Sequence, residues 1–142
     1  MAWPQLPQRG FREQSLAQAI VGFPGLVVDA GRGHMYVDRV RAERDLDRLE
    51  LAYLTHDLGY AALAEEDAAG LSELARQRDT VRGVLALKGQ LLGPISLAAQ
   101  LTDEQQRPLI YDAMLFEALT HHLCLRAAWQ NARLAELHAT AM

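Results

Sequence analysis

The stretch LKGQLLGPIS, residues 87–96, carries side chains suited to holding a polar ligand. Lys88 supplies an ammonium group, Gln90 a carboxamide that both donates and accepts, and Ser96 a hydroxyl. Gly93 lets a backbone come close, and Pro94 is suited to the first position of a helix. An apolar run precedes this stretch and a short helical pattern follows it. Strand, glycine-bearing turn and helix is the order in which α/β enzymes present a binding loop. Lys88, Gln90, Gly93 and Ser96 are therefore the candidate substrate-binding residues, positioning a ligand rather than reacting with it. The competing explanation is turn geometry, with Gly93-Pro94 ending a strand and starting a helix.

Other groupings point less firmly to chemistry. His121 and Cys124 stand three apart on a helical pattern, with His122 beside them. Zinc requires about four protein ligands, or three and a water. No second His/Cys pair lies nearby, and His34, His56 and His138 are isolated, so the expectation is an ordinary helix with one buried and one exposed histidine and no metal. The acids at Glu65-Glu66-Asp67, Asp103-Glu104 and Asp45/Asp47 suit helix starts, where the dipole favours negative charge. Carboxylate catalysis needs two groups facing one pocket with separated pKa values, and no catalytic residue is assigned. Asp29 and Asp38 sit near a turn, and Trp3, Pro4 and Trp129 are expected as packing anchors.

The elements that must position these residues follow from periodicity. AWPQLPQRG, with two prolines and a glycine, is expected to be irregular, and FREQSLAQAIVGF to form a helix closed by Gly22 and Pro24. GLVVD and HMYVD flank the turn AGRG and predict a hairpin. Residues 42–64 carry an amphipathic helical pattern, followed by a loop or short helix around Gly70. VRGVLAL, residues 81–87, is short, apolar and bounded by turns, and predicts a buried central strand. ISLAAQL predicts a short helix, and Thr102 and Gln105 have capping-box spacing. Residues 111–139 form the longest helix, with Leu115, Leu119, Leu123 and Ala127 on one stripe widened by Phe116, Trp129 and Leu134. The fold class is α+β, mostly helical with a hairpin and one central strand, in a single domain over 1–142.

Composition narrows the function. The chain has 142 residues, half of them apolar, and a net charge of −4. It has no Lys/Arg-rich run, so neither a nucleic acid nor a membrane is expected as a partner. No segment has the length and apolarity of a transmembrane helix or the plan of a signal peptide. A single cysteine excludes an internal disulfide and suits the cytoplasm.

Several of these motifs together resemble a known family. WPQLPQRGF, GFPGLVVD followed by YVDR, AAGL, and above all LKGQLLGPISLAAQLTDEQQRPLIYDAMLFEALTHHLCLRAAWQ resemble the uroporphyrinogen decarboxylase/cobalamin-independent methionine synthase superfamily, particularly its methionine-synthase-like members. The similarity runs over nearly the whole chain and is most specific between Lys88 and Trp129. It implies a relationship to a (β/α)8 barrel whose members transfer methyl groups to thiols or decarboxylate porphyrins. The family's methyltransferases hold zinc through His, Cys and acidic residues on later barrel strands. The strand expected ahead of Trp3 and the metal-bearing strands expected after Leu137 are both missing, so the resemblance covers about two-fifths of a barrel of roughly 250 residues.

Two functions are expected from this. In the first, the chain is a truncated or partial methionine-synthase-like protein, lacking the metal ligands and any cofactor and inactive alone. In the second, it is a non-enzymatic interaction module. Both require company, because a single buried strand needs neighbours for its backbone groups. The expected partner is a second copy in a homodimer, or another chain supplying the missing strands.

Overall fold

The structure, a computed structural model, describes residues 1–77, 79 and 82–141. After short 3-10 turns at Pro7–Arg9 and Phe11–Glu13, helix α1 spans Ser15–Ile20. Strands β1 (Leu26–Asp29) and β2 (His34–Val37) follow, then α2 (Arg39–Leu54) and α3 (Ala69–Arg76). Helix α4 (Pro94–Gln100), strand β3 (Thr102–Asp103) and the long α5 (Ala113–Ala141) complete the order. The architecture is α+β, dominated by helices, with one small three-stranded sheet ordered β1-β2-β3.

The hairpin forms where the glycine-rich turn predicts it, with Leu26 opposite Val37 and Asp29 opposite His34. Gly25 enters it at φ +72, and a methyl group there would overlap the Asp38 carbonyl and Ala42. On β2, Met35 and Val37 point into the core and alternate with His34 and Tyr36, as a sheet buried on one face requires. Asp38 then caps α2, its side chain accepting from the Arg41 amide at 3.0 Å.

Three expectations are corrected. The helix expected over 42–64 is α2 followed by a separate turn at Leu58–Ala61. It stops because His56 adopts φ +54 while the Asp57 side chain accepts from the Gly59 amide, a local bond that competes with helix propagation. Thr102 does not cap a helix. It pairs in parallel with Tyr36, and the neighbouring Asp103 folds the following turn by accepting from the amides of Gln105 and Arg107, each at 2.9 Å.

The third concerns VRGVLAL. Val81 lies outside the described residues, and residues 82–87 form no strand. Gly83 turns the chain at φ +77, and Leu85 is 99% exposed. Val84 and Leu87 pack one-sidedly on a hydrophobic cluster, so the run lies over the core's edge instead of through it. The position next to the hairpin is taken by β3.

Helix α5 organises the interior. Its first half packs with α1, α2, α4 and the sheet around Leu115, Leu119 and Leu123. Its second half, through Leu134 and Leu137, meets α3 and Trp3 in a second cluster. The buried face does not follow the strict four-residue stripe. Each four-residue step advances about 40° around a helix of 3.6 residues per turn, so Ala127 rotates out to solvent while His122, Arg126 and Gln130 rotate in. Leu119 has no exposed surface. Leu119→Ala is expected to lower unfolding free energy by about 2–5 kcal/mol, measured by urea denaturation; an unchanged midpoint would contradict this helix register.

Candidate functional site

The polar side chains that enter the core gather between the N-terminal segment and α5. Glu13, Gln18 and Asp67 are buried and tied together. Gln18 Nε2 donates to the Asp67 carbonyl at 2.8 Å and to Glu13 Oε2 at 3.2 Å. Arg12 Nε donates to Asp67 Oδ1 at 2.7 Å. Helix α3 has alanine at its capping position, and Glu13 serves instead, Oε1 accepting from the Ala69 amide at 2.9 Å. A carboxylate there also complements the helix dipole. Gln5 Nε2 donates to Gln18 Oε1, and Ser15 donates to Gln5 Oε1. Asp67 and Asp103, expected at helix starts, are both buried, and each is committed to these bonds or to its turn.

On α5, Arg126 is 1% exposed. Its Nη2 donates to the Val21 carbonyl and lies 3.3 Å from His122 Nε2. Burial, and secondarily the charge of Arg126, push His122 down to about 3. The imidazole is therefore neutral at ordinary pH and can accept from the guanidinium. Phe23 and Tyr60 meet its ring edge-on. Burial also lowers Arg126 to about 10, partly offset by the charge of Asp67, which leaves the guanidinium protonated at neutral pH.

Two cavities adjoin this seam. An open one of about 450 Å³ runs between residues 85–91 and the Ala127, Asn131 and Ala135 side of α5. A smaller one of about 130 Å³ is lined by Trp3, Gln5, Gln18, Gln90, Arg126 and Gln130, with Ser15, Ala19 and leucines completing the wall. Gln90 borders both, and its carbonyl accepts from Gln130 Nε2 at 3.3 Å. That approach requires Gly89, since a methyl group there would overlap the Gln130 carboxamide.

The four residues selected from sequence are not brought together around one space. Gln90 lines the cavities. Lys88 is exposed and engages through its backbone, the amide donating to Met1 O at 2.7 Å and the carbonyl accepting from Trp3 N at 3.4 Å. Gly93 precedes α4 and Pro94 opens it, at backbone angles any residue adopts. Ser96 is exposed on α4, its carbonyl accepting from Gln100 Nε2. Sequence reasoning missed Arg126, Gln130 and Gln18. The available signal was a helix face traced at 3.6 residues instead of by apolar identity.

The residues do not suit the zinc of the family that the sequence resembles. His121 is partly buried, stacked on Tyr53 and bonded through Nδ1 to Glu50 at 2.7 Å, while Cys124 faces solvent. Among the described residues, no three His, Cys, Asp or Glu side chains are grouped to hold a metal. No described helix is long and apolar enough to cross a membrane.

No family model, curated protein or solved structure matches the chain.

His122 sets a pH dependence with a definite sign. Its folded pKa, about 3, lies below the ordinary 6.5, so the unfolded chain takes up the proton first as pH falls. Its contribution is complete above about 6.5 and is lost between there and about 3. Urea midpoints between pH 7 and 5 should therefore fall in the parent and less in His122→Gln. The difference in slope should approach about 1.4 kcal/mol per pH unit, and equal slopes would mean that the buried imidazole carries a proton.

Proposed function

We propose that this chain is a partial methionine-synthase-like protein, a segment of a barrel-type fold that contributes ligand-positioning groups and has no methyl-transfer or decarboxylase activity alone. Support comes from the parallel bridge between Ala2 and Lys88. Among the described residues these positions are separated by three α-helices and a hairpin, and parallel neighbours joined through helices are the connection from which such barrels are built. Beyond Lys88 the chain runs through Gly93-Pro94 into α4, as a barrel strand runs into its loop and helix. In the proposed parent barrel, Lys88 would end a strand and Gln90, Gly93 and Ser96 would follow it, on the side where barrels carry their sites. The site assigned to this chain calls for no cofactor.

A second function, a homodimeric interaction module that completes or regulates a partner in the cytoplasm, is favoured by Leu85. This leucine is 99% exposed beside the partly buried Val84 and Leu87. A second copy, or a chain supplying further strands, would cover it.

Assays of methyl transfer to thiols and of porphyrin decarboxylation should detect no turnover by the purified chain. Turnover without added protein would refute the partial-enzyme proposal. Elemental analysis is expected to return less than one zinc per chain; one zinc per chain, lost in Cys124→Ser, would contradict the metal-free assignment. Sedimentation at micromolar concentration should give a homodimer that Leu85→Glu dissociates. A 15.8 kDa species alone would refute the dimer.

A further inference from the structure

We propose that the smaller cavity, between Trp3, Gln90 and α5, is a binding site for a short aliphatic monocarboxylic acid whose carboxylate pairs with Arg126. The inference goes beyond the barrel relationship and stands without it.

Within the lining, two carboxamide acceptors are already engaged: Gln18 Oε1 takes a hydrogen bond from Gln5, and Gln5 Oε1 takes one from Ser15. Donors are left over. Arg126 Nε and Nη1, and Trp3 Nε1, are buried and have no hydrogen-bond partner among the described residues. Both side chains line the cavity and are nearly fully buried, Trp3 at 2% exposed. Buried donors of this kind are ordinarily satisfied, and a buried charge is ordinarily paired. The neighbouring carboxylates are committed elsewhere, Asp67 to Arg12 and Glu13 to Gln18 and the start of α3. A ligand that brings acceptors and one negative charge matches what remains.

Charge and shape narrow the class. The lining holds one cation, which balances a carboxylate; a phosphate carries about −1.5 to −2 at neutral pH and would be left partly uncompensated. Ala19, Leu63, Leu91 and Leu92 form the apolar part of the wall, a surface for a hydrocarbon tail. The volume of about 130 Å³ is close to that of a cavity of about 150 Å³ that accepts benzene. An acid of about six heavy atoms is therefore the right size.

The test titrates the ¹⁵N-labelled full chain with butyrate, butyramide or inorganic phosphate at constant ionic strength. It follows the Trp3 indole N–H resonance, identified by its loss in Trp3→Phe, together with the Tm. Butyrate should shift the resonance saturably and raise the Tm, whereas butyramide and phosphate should do neither. Arg126→Met removes a buried charge without adding one and is expected to fold; it should weaken butyrate binding by at least about tenfold, as loss of a charge-assisted pair implies. Gln130→Glu, one turn along α5, places a carboxylate in the cavity from within and should abolish the butyrate response. The proposal is overturned by no saturable response to butyrate, by an equal response to butyramide or phosphate, or by undiminished butyrate binding in either variant.

Discussion

Arg126 places a positive charge near the middle of the face of α5 against which the other elements pack. An ion so placed must keep partners, because desolvating it costs several kcal/mol if it has none. The arrangement around it follows from that constraint. Val21, at the end of α1, gives its carbonyl to the guanidinium, which fixes α1 against α5. His122 stays neutral and offers a lone pair in place of a competing charge. Asp67 lends a longer-range negative field while bonding Arg12, so the N-terminal segment and the start of α3 are joined to the same seam.

Much of the local structure was legible because it depends on near neighbours. The AGRG turn between β-branched runs defines the hairpin, and Pro94 marks the first residue of α4. The helix over 111–139 matched α5 within about two residues at each end, the usual uncertainty of helix boundaries. Two of the three failures came where a distant residue decides. Thr102-Asp103 has the local pattern of a helix start but becomes a strand because β2 offers an open edge. VRGVLAL has the composition of a buried strand, yet the β2 edge of the hairpin is already occupied by β3.

The candidate site was legible to a smaller degree for a related reason. Lys88, Gln90, Gly93 and Ser96 were selected for chemistry within one short segment, and a segment specifies only one wall of a cavity. Gln90 contributes to that wall. The opposing wall comes from Arg126 and Gln130, almost forty residues away, and from Trp3 and Gln18 near the start of the chain. Their polarity hid them, since a buried face traced by leucines alone passes to either side of them. Helical angle was the better guide, because it depends on backbone geometry whatever the side chain.

The central position of α5 also affects the order in which the chain acquires structure during synthesis. Both hydrophobic clusters draw essential members from this helix, and every other described element precedes it. On the ribosome the hairpin and the earlier helices therefore emerge without the surface that will bury them. Exposed apolar faces of that kind are what chaperones hold. Consolidation must wait for the second half of α5, when Leu134 and Leu137 can close over Trp3, which is synthesised well before them.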